Sequence, residues 1–256
     1  MRLNLLIDRL KFFLSVYSLP LIAFVIVVFI WQILSNLGVF QTWLLPPPTM
    51  IIKELYYSKS FLLEHTFTTA TEILLGLCLA IIFGTIIGFL MSSYKFFERS
   101  ILPYVIASQV IPIFALAPLL IVWFGAGLIS KIIVVFLISF FPIVIGVFDG
   151  LSKRSNDMEN MLKTMGANNF QIFNILKINL ALPSFFSGLK VASVSSVIGA
   201  VVAEWIGSKS GLGWIMKVSG PLFQTERVFA SIVILSIFAS ILFLVVKFLE
   251  NKLVKG

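Results

Sequence analysis

The chain has 256 residues, of which 59% are hydrophobic and only 12% are Asp, Glu, Lys or Arg. A soluble domain is about half apolar and about a quarter charged, so this composition excludes a water-soluble globule and requires an integral membrane protein. The net charge of +8 does not point to nucleic acid, because no basic run with interleaved aromatics accompanies it; basic loops that set membrane topology account for it.

In chain order, Arg2, Arg9 and Lys11 precede a first apolar segment, Leu19–Leu37. It is longer than a signal-peptide core and no small-residue cleavage site follows, so it reads as a retained span. Pro46–Pro48 predict a stiff extended piece, followed by a short helix from Thr49. A helical crossing takes about 20 residues, and five further segments qualify: Thr66–Met91, Ile101–Phe124, Leu128–Phe148, Pro183–Trp205 and Val228–Phe248. The expected fold is all-α, with six transmembrane helices in one domain over 1–256 and a core bundle over 66–248. With the N-terminus inside, twelve of the 19 Lys and Arg fall in inner segments, six (Lys131 among them) in outer ones, and Lys190 inside the fifth span. The positive-inside rule then places both termini and the loop Ser152–Pro183 in the cytoplasm.

Polar and small residues within the spans are the candidates for function. In the second span Gly76, Ala80, Gly84 and Gly88 share one helix face, the spacing that lets helices pack closely. Ser184, Gly188, Ala192, Ser196, Gly199 and Ala203 form a similar stripe in the fifth, and with Ser193 they fit helix packing and the lining of a solute path alike. Pro112 and Pro118 should kink or break the third span, and broken helices at membrane depth line cavities or are buried in protein. Gln109, one turn earlier, presents an amide to a solute or to a neighbouring helix. Glu72 and Glu204 lie near the outer ends of their spans, where each can reach the interface; Glu204 is the stronger functional candidate. His65 reads as an interfacial residue with no second histidine for a metal site. Cys78 has no cysteine to pair with. No catalytic set is present, and no GxxxxGK[ST] phosphate loop occurs; if ATP drives this protein, a partner hydrolyses it.

The loop Ser152–Pro183 differs from everything around it. Ser155 is a good N-cap, and Asp157 and Glu159 follow where a helix dipole favours acids. Met158, Met161, Leu162 and Met165 make one apolar stripe. Gly166 supplies the left-handed residue that ends such a helix, and Asn168 or Asn169 caps a second one bearing Phe170, Phe173, Leu176 and Leu180. Periodicity alone fits either a helix lying on the lipid surface or a knob that docks into a partner.

The residues favour the knob. Asn160-Met161-Leu162, three residues, then Gly166-Ala167, Phe170 to Phe173 and Leu182-Pro183 resemble the coupling loop of the permease subunits of ATP-binding-cassette importers. That family's pattern is Glu-Ala-Ala, three residues, Gly, and a hydrophobic stretch ending in Leu-Pro. Here the glutamate is shifted one place back, to Glu159, and Asn179 replaces the first of two usual prolines. Leu45 to Pro48, Gln109 to Pro112, Ala117 to Leu119, Trp123 to Gly125, Ala203 to Gly207 and Ser210 to Gly213 extend the resemblance from about Trp43 to Leu249. They resemble the branch that imports sulfonates, taurine, nitrate and thiamine-precursor pyrimidines.

That resemblance implies a homodimer in the bacterial inner membrane, an ATPase subunit dimer holding ATP and magnesium, and an extracytoplasmic substrate-binding protein. The chain itself would carry no cofactor and bind no nucleic acid. Alternating access would be driven through a coupling surface of Glu159, Asn160, Met161, Met165, Gly166, Ala167, Phe170 and Phe173. The translocation pathway would use Gln109, Pro112, Pro118, Ser193, Ser196 and Glu204. Gln109–Gly127 and Phe140-Phe141-Pro142 look most like the thiamine-precursor pyrimidine permeases; alkanesulfonate, taurine or nitrate is the alternative cargo. An ion-coupled secondary transporter or channel is the rival class, and it would show an internal repeat or midplane ionisable groups.

Overall fold

A computed structural model describes residues 2–152 and 156–254, the side chains of 2–17 and 156 excepted. The described residues are mostly helical, with no strand among them. The helices are α1 (Arg2–Asn36), α2 (Pro48–Tyr57), α3 (Lys59–Ser93), α4 (Lys95–Val110), α5 (Ile113–Phe124), α6 (Leu128–Ser152), α7 (Asn156–Thr164), α8 (Asn169–Ile172), α9 (Ile178–Gly207), α10 (Leu212–Ser219) and α11 (Thr225–Leu253). Five stretches are long and apolar enough to cross a membrane, and a sixth exists if α4 and α5 together count as one span.

The third expected span is not one helix. Ile111 and Pro112 are extended, and α4 and α5 meet there at 101°. Proline cannot donate the backbone bond that would carry the helix through this point, and it restricts the residue before it to extended conformations. Pro118 lies inside α5 without breaking it. The break at Pro112 is the one the sequence led us to expect; the fifth span differs from expectation. It begins at Asn169, not Pro183, and runs 39 residues to Gly207. The second loop helix is therefore the first turn of this span, joined to α9 by a π-helical turn at Phe173–Lys177.

The chain divides into two compact units. The first holds residues 1–59 and 218–230. Within it Arg227 Nε donates to Glu54 Oε1 at 2.8 Å, Ser58 Oγ donates to the same oxygen at 2.6 Å, and Trp31 packs on Phe229. The second unit, 60–217 with 231–256, contains the helix core.

In that core α6 lies between α3 and α9. The small residues of α3 face α6: a Cβ added at Gly76, Gly84 or Gly88 would meet Val135, Ile143 or Val147. On the other side α6 and α9 pair extensively along their length. Backbones touch there, since a Cβ on Gly188 would run into the Pro142 carbonyl and one on Gly146 into the Ser184 carbonyl. Membrane helices lack a hydrophobic drive to associate, so close packing of small residues supplies the attraction. Leu77, Ala80, Ile143, Phe186, Leu189 and Val246 fill the layer around this contact.

Candidate functional site

Two places concentrate chemistry, at opposite ends of α9. The first is a buried polar cluster at its C-terminal end. On α3, residues 65, 69 and 72 continue the face that carries Gly76 and Ala80, so the packing that buries the glycines buries these side chains too. Glu72 and Glu204 are completely buried, Thr69 is 1% exposed, and His65 and Lys131 are each 7% exposed. Both glutamates and His65 are thus covered by protein rather than open at the surface. Lys131, assigned from the sequence to an outer segment, stands inside α6.

Each group is held by named bonds. Lys131 Nζ donates to Glu72 Oε1 at 2.7 Å. Thr69 Oγ1 donates to Glu204 Oε1 at 2.6 Å and accepts from the Leu212 N–H at 2.9 Å. Glu204 Oε2 accepts from the N–H of Gly213 at 2.6 Å and of Trp214 at 3.4 Å. His65 Nδ1 accepts from the Gly211 N–H at 2.8 Å, and its ring stacks on Trp214 at 5.2 Å. An imidazole nitrogen that accepts from an amide carries no proton, so the proton of neutral His65 sits on Nε2. Gly211 has φ +110°, and a side chain there would collide with the Glu204 carboxylate. Glycine is the residue that takes this backbone and leaves this space. The cluster thus ties α3, α6, α9 and the start of α10 together with charge-assisted bonds, which in a water-free setting hold groups in fixed register. It offers a solute no open face.

Ser193 and Ser196 are also fully buried. Their hydroxyls donate to the carbonyls of Lys190 and Ser193 on their own helix. In this conformation they belong to the packing of α9 and line no open path. Val191, Val194, Ile198 and Trp205 form the open face of α9 instead, between 40% and 59% exposed. Gln109 and Pro112 are exposed and border a hollow of about 340 Å³ at the α4–α5 break, walled besides Ser108 mostly by apolar side chains such as Leu116, Leu137 and Ile138. Pro118 is exposed on α5 and does not border that hollow.

The second place is the turn before α8. Gly166 has φ +82°. Its N–H donates to the Lys163 carbonyl at 2.9 Å, and the Ala167 N–H donates to the Leu162 carbonyl at 3.0 Å. These are the two bonds of a Schellman ending, which closes α7 on a left-handed residue. Two residues later Asn168 and Gln171 exchange side-chain-to-backbone bonds of 2.8 Å each, a capping box that starts α8. The geometry of the turn is therefore defined by local bonds on both sides. The cap expected at Ser155 lies outside the described residues.

This turn leaves Met158, Met161, Met165 and Phe170 53–74% exposed. Phe173, expected on the same surface, is turned inward: its ring meets Phe89 edge-on at 5.6 Å. Ala167 is half-buried, Asn160 is exposed, and Glu159 is paired with Lys163 at 3.0 Å. Exposed methionines are adaptable, polarisable contacts typical of docking surfaces. Among the described residues no group of His, Cys, Asp and Glu has the arrangement of a metal site.

Known proteins resemble this chain over nearly its whole length. Residues 80–255 match the family described as binding-protein-dependent transport system inner membrane component. The formylaminopyrimidine transport permease protein ThiX of Halalkalibacterium halodurans is 38% identical over 91% of this chain and 93% of its own. The riboflavin transport system permease protein RibX of Chloroflexus aurantiacus is 32% identical, covering 93% and 89%. The taurine transport system permease protein TauC of Escherichia coli is 26% identical, covering 88% and 84%.

Proposed function

The chain belongs to the family of binding-protein-dependent transport system inner membrane components, and from that premise we propose how it works and what it carries. It is the permease subunit of an ATP-driven importer and acts as a homodimer. Two ATPase subunits dock on α7, and a binding protein delivers the solute from the other side. Both termini lie in the cytoplasm.

The observation that carries this reading is the locally braced knob at the foot of one long helix. The Schellman turn and the capping box fix α7 against α8, and α8 continues through the π turn into α9. From Asn169 to Gly207 this is about 58 Å of helix at 1.5 Å per residue. A push on Met158, Met161 and Met165 therefore reaches the far end of α9, where Glu204 grips α10 and its neighbours. ATP-driven closure of the ATPase pair moves the knobs, α9 moves the polar cluster with it, and the path opens alternately to each side.

The proposed cargo is a thiamine-precursor pyrimidine. Gln109 offers an amide donor and acceptor at the edge of a mostly apolar hollow, a setting suited to a flat, uncharged heterocycle. The relative named for formylaminopyrimidine supports this choice. Taurine, sulfonate or nitrate is disfavoured by the lysines inside the spans. Lys131 is bound to Glu72 and Lys190 to Glu250, so neither is open to an anion.

The test is reconstitution in vesicles with an ATPase subunit and a binding protein encoded beside this chain. Labelled formylaminopyrimidine should accumulate only with ATP and all components. Gln109→Leu should lower uptake about tenfold, the effect of about one hydrogen bond. Uptake of taurine in place of the pyrimidine would reassign the cargo, and ATP-independent flux through the chain alone would support a secondary transporter or channel.

A further inference from the structure

Two hollows adjoin on the face of the second unit that carries α7, and together they have the chemistry of a phospholipid. The first, about 620 Å³, is bordered by Ser93, Lys95, Glu98, Asn160, Lys163 and Lys177 among others. The second, about 440 Å³, is bordered by Ile86, Phe89, Leu182 and Phe185 and is almost wholly apolar. Leu151 borders both, so the polar hollow continues into the apolar one. The π turn separates them, with Phe173 on the apolar side and Leu176 and Lys177 on the polar side. Such turns inside helices are frequent at functional sites.

The charges specify the occupant. Glu159 is taken by Lys163 at 3.0 Å. Among the described residues Lys95 and Lys177 have no ion-pair partner, and Lys177 is half-buried. Among the described residues Glu98 is the one other carboxylate on the wall. The hollow thus keeps an excess of positive charge, with the Ser93 hydroxyl and the Asn160 amide as further donors. A half-buried ammonium without a counter-ion calls for an anion, and basic pockets between membrane helices bind anionic headgroups. Ile86 is 50% exposed and Phe89 39%, so the apolar groove is open to the acyl region beside it.

We propose that this composite site binds one anionic phospholipid of the leaflet next to α7, its phosphate on Lys95 and Lys177 and one acyl chain along Ile86, Phe89 and Phe185. A lipid seated there would lie against the inner side of α7 and would brace the knob. The inference does not depend on the cargo.

The experiment is electron spin resonance of the purified full chain in vesicles containing spin-labelled phosphatidylglycerol or spin-labelled phosphatidylcholine. The motionally restricted fraction should be larger for phosphatidylglycerol. Replacing Lys95 and Lys177 by Gln together should reduce that preference, by about fivefold per lysine, the factor that corresponds to about 1 kcal/mol each. Lys95→Arg with Lys177→Arg should retain it, which separates lost charge from lost fold, and Lys252→Gln, exposed on α11, should leave it unchanged. Equal restriction of the two lipids, or a preference indifferent to the Gln pair, overturns the proposal. So does displacement by glycerol phosphate, which would mark a soluble-anion site, or by added ATPase subunit, which would mark a protein interface.

Discussion

At the residue scale, Lys131 and Glu72 matter because neither has water to fall back on. Removing one partner of a buried ion pair leaves an uncompensated charge, whereas removing both leaves an apolar contact. Lys131→Met should therefore cost about 3–5 kcal/mol, and Glu72→Leu with Lys131→Met should recover most of it. Thermal unfolding of the four proteins of this cycle in detergent checks the expectation; a double variant as unstable as the worse single one would show that each residue acts through other partners. The cluster was partly legible in the sequence. His65, Thr69 and Glu72 fall at i, i+4 and i+7, on the same face as Gly76, Ala80, Gly84 and Gly88. A face that packs closely at one end of a helix goes on packing at the other, so these polar residues had to be buried too. That Lys131 would be the partner of Glu72 was not legible, because the two are 59 positions apart.

At the element scale, the pairing of α6 with α9 depends on backbones that touch. Gly188→Val would push a side chain into the Pro142 carbonyl, and backbone gives way less readily than a flexible side chain. An overpacked interface costs about 1–3 kcal/mol, and the two helices have no spare gap to close. Gly127→Ala, with open space around it, is the control. The valine variant should lower the melting temperature and the folded yield in detergent while the control matches the parent; equal stability of the two would mean that α6 and α9 are held by something else. The same contact explains the fate of Ser193 and Ser196. A stripe of small residues was visible, but small residues serve equally for packing and for a path, and only the position of α6 separates the two uses.

At the scale of the whole molecule, the turn at Gly166 links the surface of the protein to its interior. A β-branched residue in the left-handed region is strained by about 1–3 kcal/mol, and Gly166→Val relieves that strain by rotating α7 away from α8. The spans do not depend on this turn, so the variant should insert and assemble. Uptake and solute-stimulated ATP hydrolysis should fall together by about tenfold, within the usual range of coupling energies, with basal hydrolysis retained. Normal coupling in a fully assembled variant would remove the knob from the mechanism. Orientation has its own test. Cys78 is exposed, so in a Cys78→Ser background Asn168→Cys should resist an impermeant thiol reagent in intact cells; rapid labelling from outside would invert the topology.

Composition and run length alone determined that the chain is a membrane protein, where its apolar segments lie, and that a glycine turn interrupts the amphipathic loop. These are local properties, set by about 20 residues at a time or fewer. Tertiary structure decided which faces are covered. Hydropathy does not distinguish a side chain facing lipid from one facing another helix, because both surroundings are apolar. For that reason the inward turn of Phe173 and the burial of Glu72 and Glu204 emerge only once α3, α6 and α9 are placed side by side, whereas the break at Pro112 follows from the proline itself.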